Sequence, residues 1–480
     1  MKLQLLDAIG EITEARTAAG LWQQGQGCSL TGLSGAAKTV FLAALDRLLP
    51  EQGSLVFLLS GRDDIREYRR TLDCFYSDLL MQELYPVDLP LVQADSRNRE
   101  IQAGRVAAMR ILQGEERGIV FVTAEALLQK LPIPQKVLGS GVVVTLGQQL
   151  EQQELLERLI ELGYERTTQV DAIGQFCLRG DILDIFPINS QYPARIEWFD
   201  DTIDAMRSFD LDNQRSIESL SAVKIVPLQI ESGEDFSASV LDYLAASTRL
   251  VVDEPSRLFE ILQKLYIESS GYADELWSPA ELEGFCAQKR AWVVAALGHS
   301  RLQLFKDINV PVRSVAPYNR NLELLTGDLQ GWLADGQVPV VMMSSDIKAR
   351  GLADSLQSRN LNAAFVKEGA LLRPGRITVI SGELTAGFRF WNENWLLLTE
   401  NDIFGMQKKR RLHTKNSGAQ LQYFSEIKAG DYVVHSVHGI GRYIGVENVL
   451  VDGVHRDYLL LAYAGDDKLY VPVEQVGMLH

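Results

Sequence analysis

Cysteine is scarce in this chain. Its 480 residues hold four, Cys28, Cys74, Cys177 and Cys286, far apart and with no C-x-x-C among them. That excludes a disulfide framework and a thiolate zinc site, and it fits reduced thiols in a cytoplasmic protein. Long apolar runs are missing too. No stretch of about 18 apolar residues is present to span a bilayer. The opening MKLQLLDAIGEITEAR is broken by acids too early to be a signal-peptide core. Basic charge is in deficit, with 47 Lys and Arg against 63 Asp and Glu and a net charge of −16. A surface that grips duplex is usually basic, so nucleic acid is not the default partner of the whole chain. Histidine is limited to six residues. His435 and His438 are three apart in a strand-rich segment, which puts them on opposite faces, so no metal site is read there.

What is present is ordinary core-forming material, 46% hydrophobic and 23% charged. The length suits about three to five domains. Residues 1–136 read as α/β. SLVFLLSG (54–61) and GIVFVT (118–123) are continuous apolar runs of the kind found in buried parallel strands. Residues 137–226 change character. A helix, EQQELLERLIEL, is capped by Gly163, and then come two strand pairs, QFCLRGDILDIFP and ARIEWFDDTIDAMRSFD, the second turning at Asp200-Asp201. Residues 227–300 read as mostly helical and irregular. Residues 301–410 return to α/β with VPVVMMSS, AAFV, RITVIS and WLLLTE. A basic run near 408–415 leads into a linker, 411–422. Residues 423–480 form a compact β unit with Asp452-Gly453 as a hairpin signal.

GLSGAAKT, Gly32 to Thr39, nearly meets the phosphate-loop pattern G-x-x-x-x-G-K-[ST], with Gly32, Gly35, Lys38 and Thr39 as its marks. Ala37 stands where the last glycine is asked for. If that position needs a positive φ, the added Cβ costs about 1–2 kcal/mol. Hydrolysis also needs an acid at the end of a nearby strand to hold magnesium. SLVFLLS and VVVTL end without one, and GIVFVTAE offers only Glu125, inside a helix. Three readings stand: a nucleotide-dependent enzyme using Lys38, a helicase fragment that binds DNA, and a structural remnant with no catalytic residue.

In ARIEWFDD, Ile196 and Trp198 share one strand face, while Arg195, Glu197 and Phe199 share the other. The first set suits a core. The second puts an arginine and a large aromatic toward solvent, a combination enriched at protein interfaces. Arg179 comes from the neighbouring hairpin. Two readings stand here as well: pairing of these arginines with Glu197 or Asp184, or a docking face. In the last unit RYIGVENVLV is apolar on both faces, which fits either a barrel core on one side with no role for the other, or an edge that adds to a partner's strand.

The segments LERLIELGYERTTQV, FCLRGDILDIFP and RIEWFDDTIDAMRSFD resemble the UvrA-binding region of the excision-repair protein UvrB. GDYVVHSVHGIGRYIGV and DYLLLAYAGDDKLYVPVEQV resemble the CarD-type domain that interacts with RNA polymerase. In this order, behind a degenerate phosphate loop, the arrangement is similar to that of the bacterial transcription-repair coupling factors, the Mfd family. The resemblance implies a multi-domain α/β chain with a P-loop-like parallel-sheet domain in two parts (1a and 1b), a β-rich UvrA-binding module, a second α/β domain of scaffold type and a small CarD- or Tudor-like β-barrel. It implies UvrA docking through Arg179, Arg195 and Phe199. It also implies docking on the RNA polymerase β subunit through Arg442, Ile444 and Val449. Family members continue into a two-lobed translocase that uses ATP and magnesium and binds DNA. This chain stops at His480, so it is expected to be a monomeric adaptor with no cofactor of its own.

Overall fold

The computed structural model describes residues 2–50, 53–77, 79–87, 99–134, 141–190, 192–211, 213–227, 236–296, 302, 306–367, 372–405, 432–435, 439–451, 454–462 and 468–472. They fall into two units, Met1–Met406 and Gln407–His480. The basic run and the linker expected at 408–422 lie outside the described residues.

The first unit is organised by a seven-stranded parallel sheet. Its order is Lys306–Asn309, Cys28–Thr31, Ala291–Ala295, Arg249–Asp253, Leu55–Leu59, Gly118–Thr123 and Leu80–Leu84. LVFLL and GIVFVT are buried throughout, as a strand covered on both faces must be. Alternation splits their side chains between two cores. Leu55, Phe57 and Leu59 join one, and Val56 and Leu58 the other. Each such side chain contributes about 1.5–3 kcal/mol by leaving water.

Two expectations change here. The stretch 227–300, read as mostly helical and irregular, supplies the central strands Arg249–Asp253 and Ala291–Ala295. These are only five residues each and buried throughout, so they carry no alternation to find. Residues 1–136 and 227–300 therefore build one sheet. The strand Lys306–Asn309, assigned to the next domain, pairs with Cys28–Thr31 and belongs to this sheet as well.

The β-rich module is inserted between the halves of that sheet. Its neck is an antiparallel pair, Val142–Thr145 with Ala222–Ile225. Lys224 in this neck reaches Glu115, which also holds Arg110, and so ties the module to the first lobe. The module's six strands run in the order Ser216–Ser219, Thr202–Phe209, Ala194–Phe199, Ile182–Ile185, Gln175–Arg179, Glu165–Arg166. The helix Gln152–Glu161 supplies Leu155, Leu156 and Leu159 to the core on one face of that sheet. It ends as the sequence predicts. Gly163 takes φ +86° and donates to the Ile160 carbonyl, and Tyr164 donates to the Leu159 carbonyl.

A second lobe follows, with strand order Val312–Ser314, Phe388–Phe390, Trp395–Thr399, Val338–Met343, Ile377–Ser381, Ala363–Phe365. Its aromatic cluster of Phe388, Phe390 and Trp395 merges with the first lobe's core, where Phe41 sits 6.2 Å from Phe390.

The second unit is a four-stranded antiparallel meander: Tyr432–His435, Gly439–Val451, Val454–Ala462 and Lys468–Pro472. Val451 faces Val454 across the Asp452-Gly453 connection. The long strand pairs with Tyr432–His435 only over 439–442.

Candidate functional site

The loop Gly32–Thr39 lies between the strand Cys28–Thr31 and the helix Gly35–Leu48, the arrangement of a phosphate loop. Gly32 has φ +81°, and a Cβ there would meet the Val310 carbonyl oxygen at 2.8 Å. A side chain is excluded twice over. Ala37 behaves otherwise than expected. It lies inside the helix, 1% exposed, and is not among the positive-φ residues. Its Cβ therefore carries no backbone strain.

The acid thought to be missing is present. Asp253 ends the strand Arg249–Asp253, and its carboxylate accepts from Lys38 Nζ at 2.8 and 3.1 Å. Tyr68 donates to the same Oδ1 at 2.9 Å. Burial first, and the Asp253 charge second, hold the Tyr68 phenol well above its ordinary range. The acid was missed because it lies 215 residues from Lys38, beyond the inserted module. The short run RLVVDE was its only trace. With Lys38 neutralised by Asp253, an incoming phosphate would have to displace a carboxylate before meeting the ammonium.

The second lobe repeats this design. The strand Val338–Met343 turns through Ser344-Ser345 into the helix Asp346–Gln357. Lys348 Nζ meets Glu400 Oε1 at 2.5 Å, and Ser344 N donates to Glu400 Oε2 at 2.9 Å. Glu400 follows the neighbouring parallel strand Trp395–Thr399. Burial alone would raise its pKa, but the hydrogen bonds from Lys348 and Ser344 outweigh that and hold the carboxyl below its ordinary range. A folded-state pKa depressed in this way contributes stability above the unfolded value. That contribution is lost as pH falls through the folded value. Below about pH 4.3 the parent should therefore lose stability more steeply than Glu400→Gln. Parallel acid denaturation curves for the two would disprove the contribution.

On the inserted module, the alternation read from the sequence holds. Ile196 and Trp198 are buried, and Phe199 is 77% exposed at the tip of its hairpin. Arg179 is exposed and donates to the Thr168 carbonyl at 2.8 Å. For Arg195 the structure bears out the pairing reading, with Asp184 as the partner. Its guanidinium grips both oxygens of buried Asp184, at 2.6 and 2.9 Å. Arg207 pairs with Glu197. Sequence reasoning did not single out Ile182, which is 39% exposed beside Arg179.

In the terminal unit, Arg442 and Ile444 are both exposed. Val449 pairs through the backbone with Arg456. Among the described residues, the long strand from 443 to 451 pairs only with Val454–Ala462. Among the described residues no helix is long and apolar enough to cross a membrane.

Family models match in two places. Residues 142–230 match the UvrB interaction domain, and residues 427–480 match the CarD-like/TRCF RID domain. The chain thus joins a UvrB-type interaction module to a CarD-like unit. It is a relative of the transcription-repair-coupling factors and matches their N-terminal half. The factor of Bacillus subtilis (strain 168) is 29% identical, over 94% of this chain and 44% of that protein. The factor of Staphylococcus haemolyticus (strain JCSC1435) is 24% identical, over 95% and 45% respectively. The chain spans about half the length of the curated relatives it matches.

Proposed function

We propose that the chain is an adaptor in transcription-coupled excision repair. Its inserted module docks UvrA, and its terminal β unit docks the RNA polymerase β subunit. The observation that carries this reading is the pairing of a UvrB-type module with a CarD-like unit, where the module presents Phe199 to solvent from an otherwise well-packed hairpin. A large exposed aromatic beside an arginine is a common interface anchor. Separate titrations with purified UvrA and purified β subunit test it. Binding to neither would end the proposal.

The polymerase contact is assigned to one edge of Gly439–Val451, where a partner strand gains main-chain hydrogen bonds. Val449→Arg should weaken β-subunit binding about tenfold or more, because a charge must be desolvated where the docking strand meets an apolar side chain. An unchanged dissociation constant would remove Val449 from the interface.

We infer that this chain hydrolyses no ATP of its own. What supports this is the ion pair of Lys38 with Asp253, which a phosphate would have to displace. The purified chain should show no ATP turnover above background. Turnover that disappears in Lys38→Ala would reverse the assignment.

A further inference from the structure

Arg195 is the member of the expected docking set that the fold has already used. Besides its two bonds to Asp184, its Nη2 donates to Gln214 Oε1 at 3.1 Å, and the guanidinium lies 4.6 Å from the buried Phe209 ring. Gln214 holds φ +59°, a conformation uncommon for any residue but glycine. Its own amide donates to the Asp210 carbonyl, and its Nε2 to the Leu211 carbonyl. Arg195 thus clips the 210–215 loop to the sheet. Arg179 is different. It makes one hydrogen bond to a carbonyl and has no carboxylate partner among the described residues. In the sheet register Arg179 lies opposite Ile182, and Ile182 lies opposite Glu197, two residues before Phe199. Directly opposed residues share a face, so Arg179, Ile182 and Phe199 form one strip.

We propose that Arg195 is a positioning residue of the docking face, not a contact, and that the partner meets the strip Arg179–Ile182–Phe199. The chemistry is two apolar side chains, Ile182 and Phe199, beside the Glu197–Arg207 ion pair, with the Arg179 cation at one end. It fits a partner surface that offers an apolar patch beside a carboxylate. The proposal rests on the UvrA reading above.

Asp184→Asn separates the alternatives because they predict opposite signs. If Arg195 positions the face, losing the Asp184 charge releases the clip. UvrA affinity then falls about tenfold, the scale of one charge-assisted hydrogen bond. Arg195→Ala falls by a similar factor, and the double variant is no worse than either, as expected for residues acting as one unit. If Arg195 were a contact, Asp184→Asn would free its guanidinium and leave affinity unchanged or higher, which overturns the proposal. Arg195→Lys keeps the charge but loses the two-pronged geometry. It should resemble Arg195→Ala, and parent-like binding would again overturn the assignment. Ile182→Glu should lose binding while its melting curve stays parental, and intact binding would remove the strip. A second readout needs no partner. Amide exchange at Gln214 and Arg215 should accelerate in Asp184→Asn, and unchanged exchange refutes the clip. A parent chain with no UvrA affinity overturns the docking reading and the strip with it, while the exchange measurement still decides the clip.

Discussion

Phe199→Ala should lower the affinity of the chain for UvrA by about 1.5–3 kcal/mol, roughly ten- to a hundredfold, the transfer free energy of a buried phenylalanine side chain. The melting curve should not move. The ring is 77% exposed in the free chain, so it gives little to the fold. Surface replacements of this kind stay within about 0.5 kcal/mol. The neighbouring core is carried by Ile196 and Trp198, whose indole Nε1 donates to the Leu150 carbonyl at 2.8 Å. Isothermal titration against UvrA, with a thermal melt of the same sample, separates the two effects. Full affinity in a folded Phe199→Ala chain would take the hairpin tip out of the interface.

Asp46→Ala should have the opposite profile, with a large loss of stability and no direct effect on either docking surface. Asp46 and Arg249 are each 2% exposed and form an ion pair. The same carboxylate accepts from Tyr76 at 2.7 Å and from Arg117 at 3.2 Å. Burial, with the charge of Arg290 adding to it, pulls the Arg249 guanidinium down to about 10. Removing one partner of a buried pair costs about 3–5 kcal/mol, because the remaining charge stays desolvated. Asp46 precedes the inserted module and Arg249 follows it, so the pair holds the two halves of the first lobe together. A denaturant titration reads the loss. A change below about 1 kcal/mol would mean that water or another carboxylate reaches Arg249.

Much of this was legible in the sequence where a local signal existed. The two hairpins of the module, the Gly163 helix stop and the division of Ile196 and Trp198 from Phe199 follow from period-two alternation and turn chemistry, both properties of neighbouring residues. The central strands Arg249–Asp253 and Ala291–Ala295 were not legible. A five-residue run buried on both faces has no alternation, and its identity as a strand depends on partners far away in the chain. Asp253 was missed for the same reason, since its meeting with Lys38 is a property of sheet order. Arg195 shows the limit in another form. Alternation put it on the correct face and left pairing with Asp184 or Glu197 open, and the register opposite Asp184 decides between them.

The insertion has a consequence for how the chain is made. The strand Cys28–Thr31 has as its sheet neighbours only Ala291–Ala295 and Lys306–Asn309. While the polypeptide leaves the ribosome, that strand waits for partners through the synthesis of the whole module and the helices after it. At about 5–20 residues per second this is roughly ten seconds to most of a minute. During that interval Cys28 and Leu30 lack both of their sheet neighbours, while Leu55–Leu59, Gly118–Thr123 and Leu80–Leu84 can already pair with one another. The module, with its own core and its two ends paired at the neck, can complete itself first. Nascent chains arrested after residue 230 should therefore carry a protease-resistant module on a protease-sensitive N-terminal segment, and should be held by chaperones that bind exposed apolar chain.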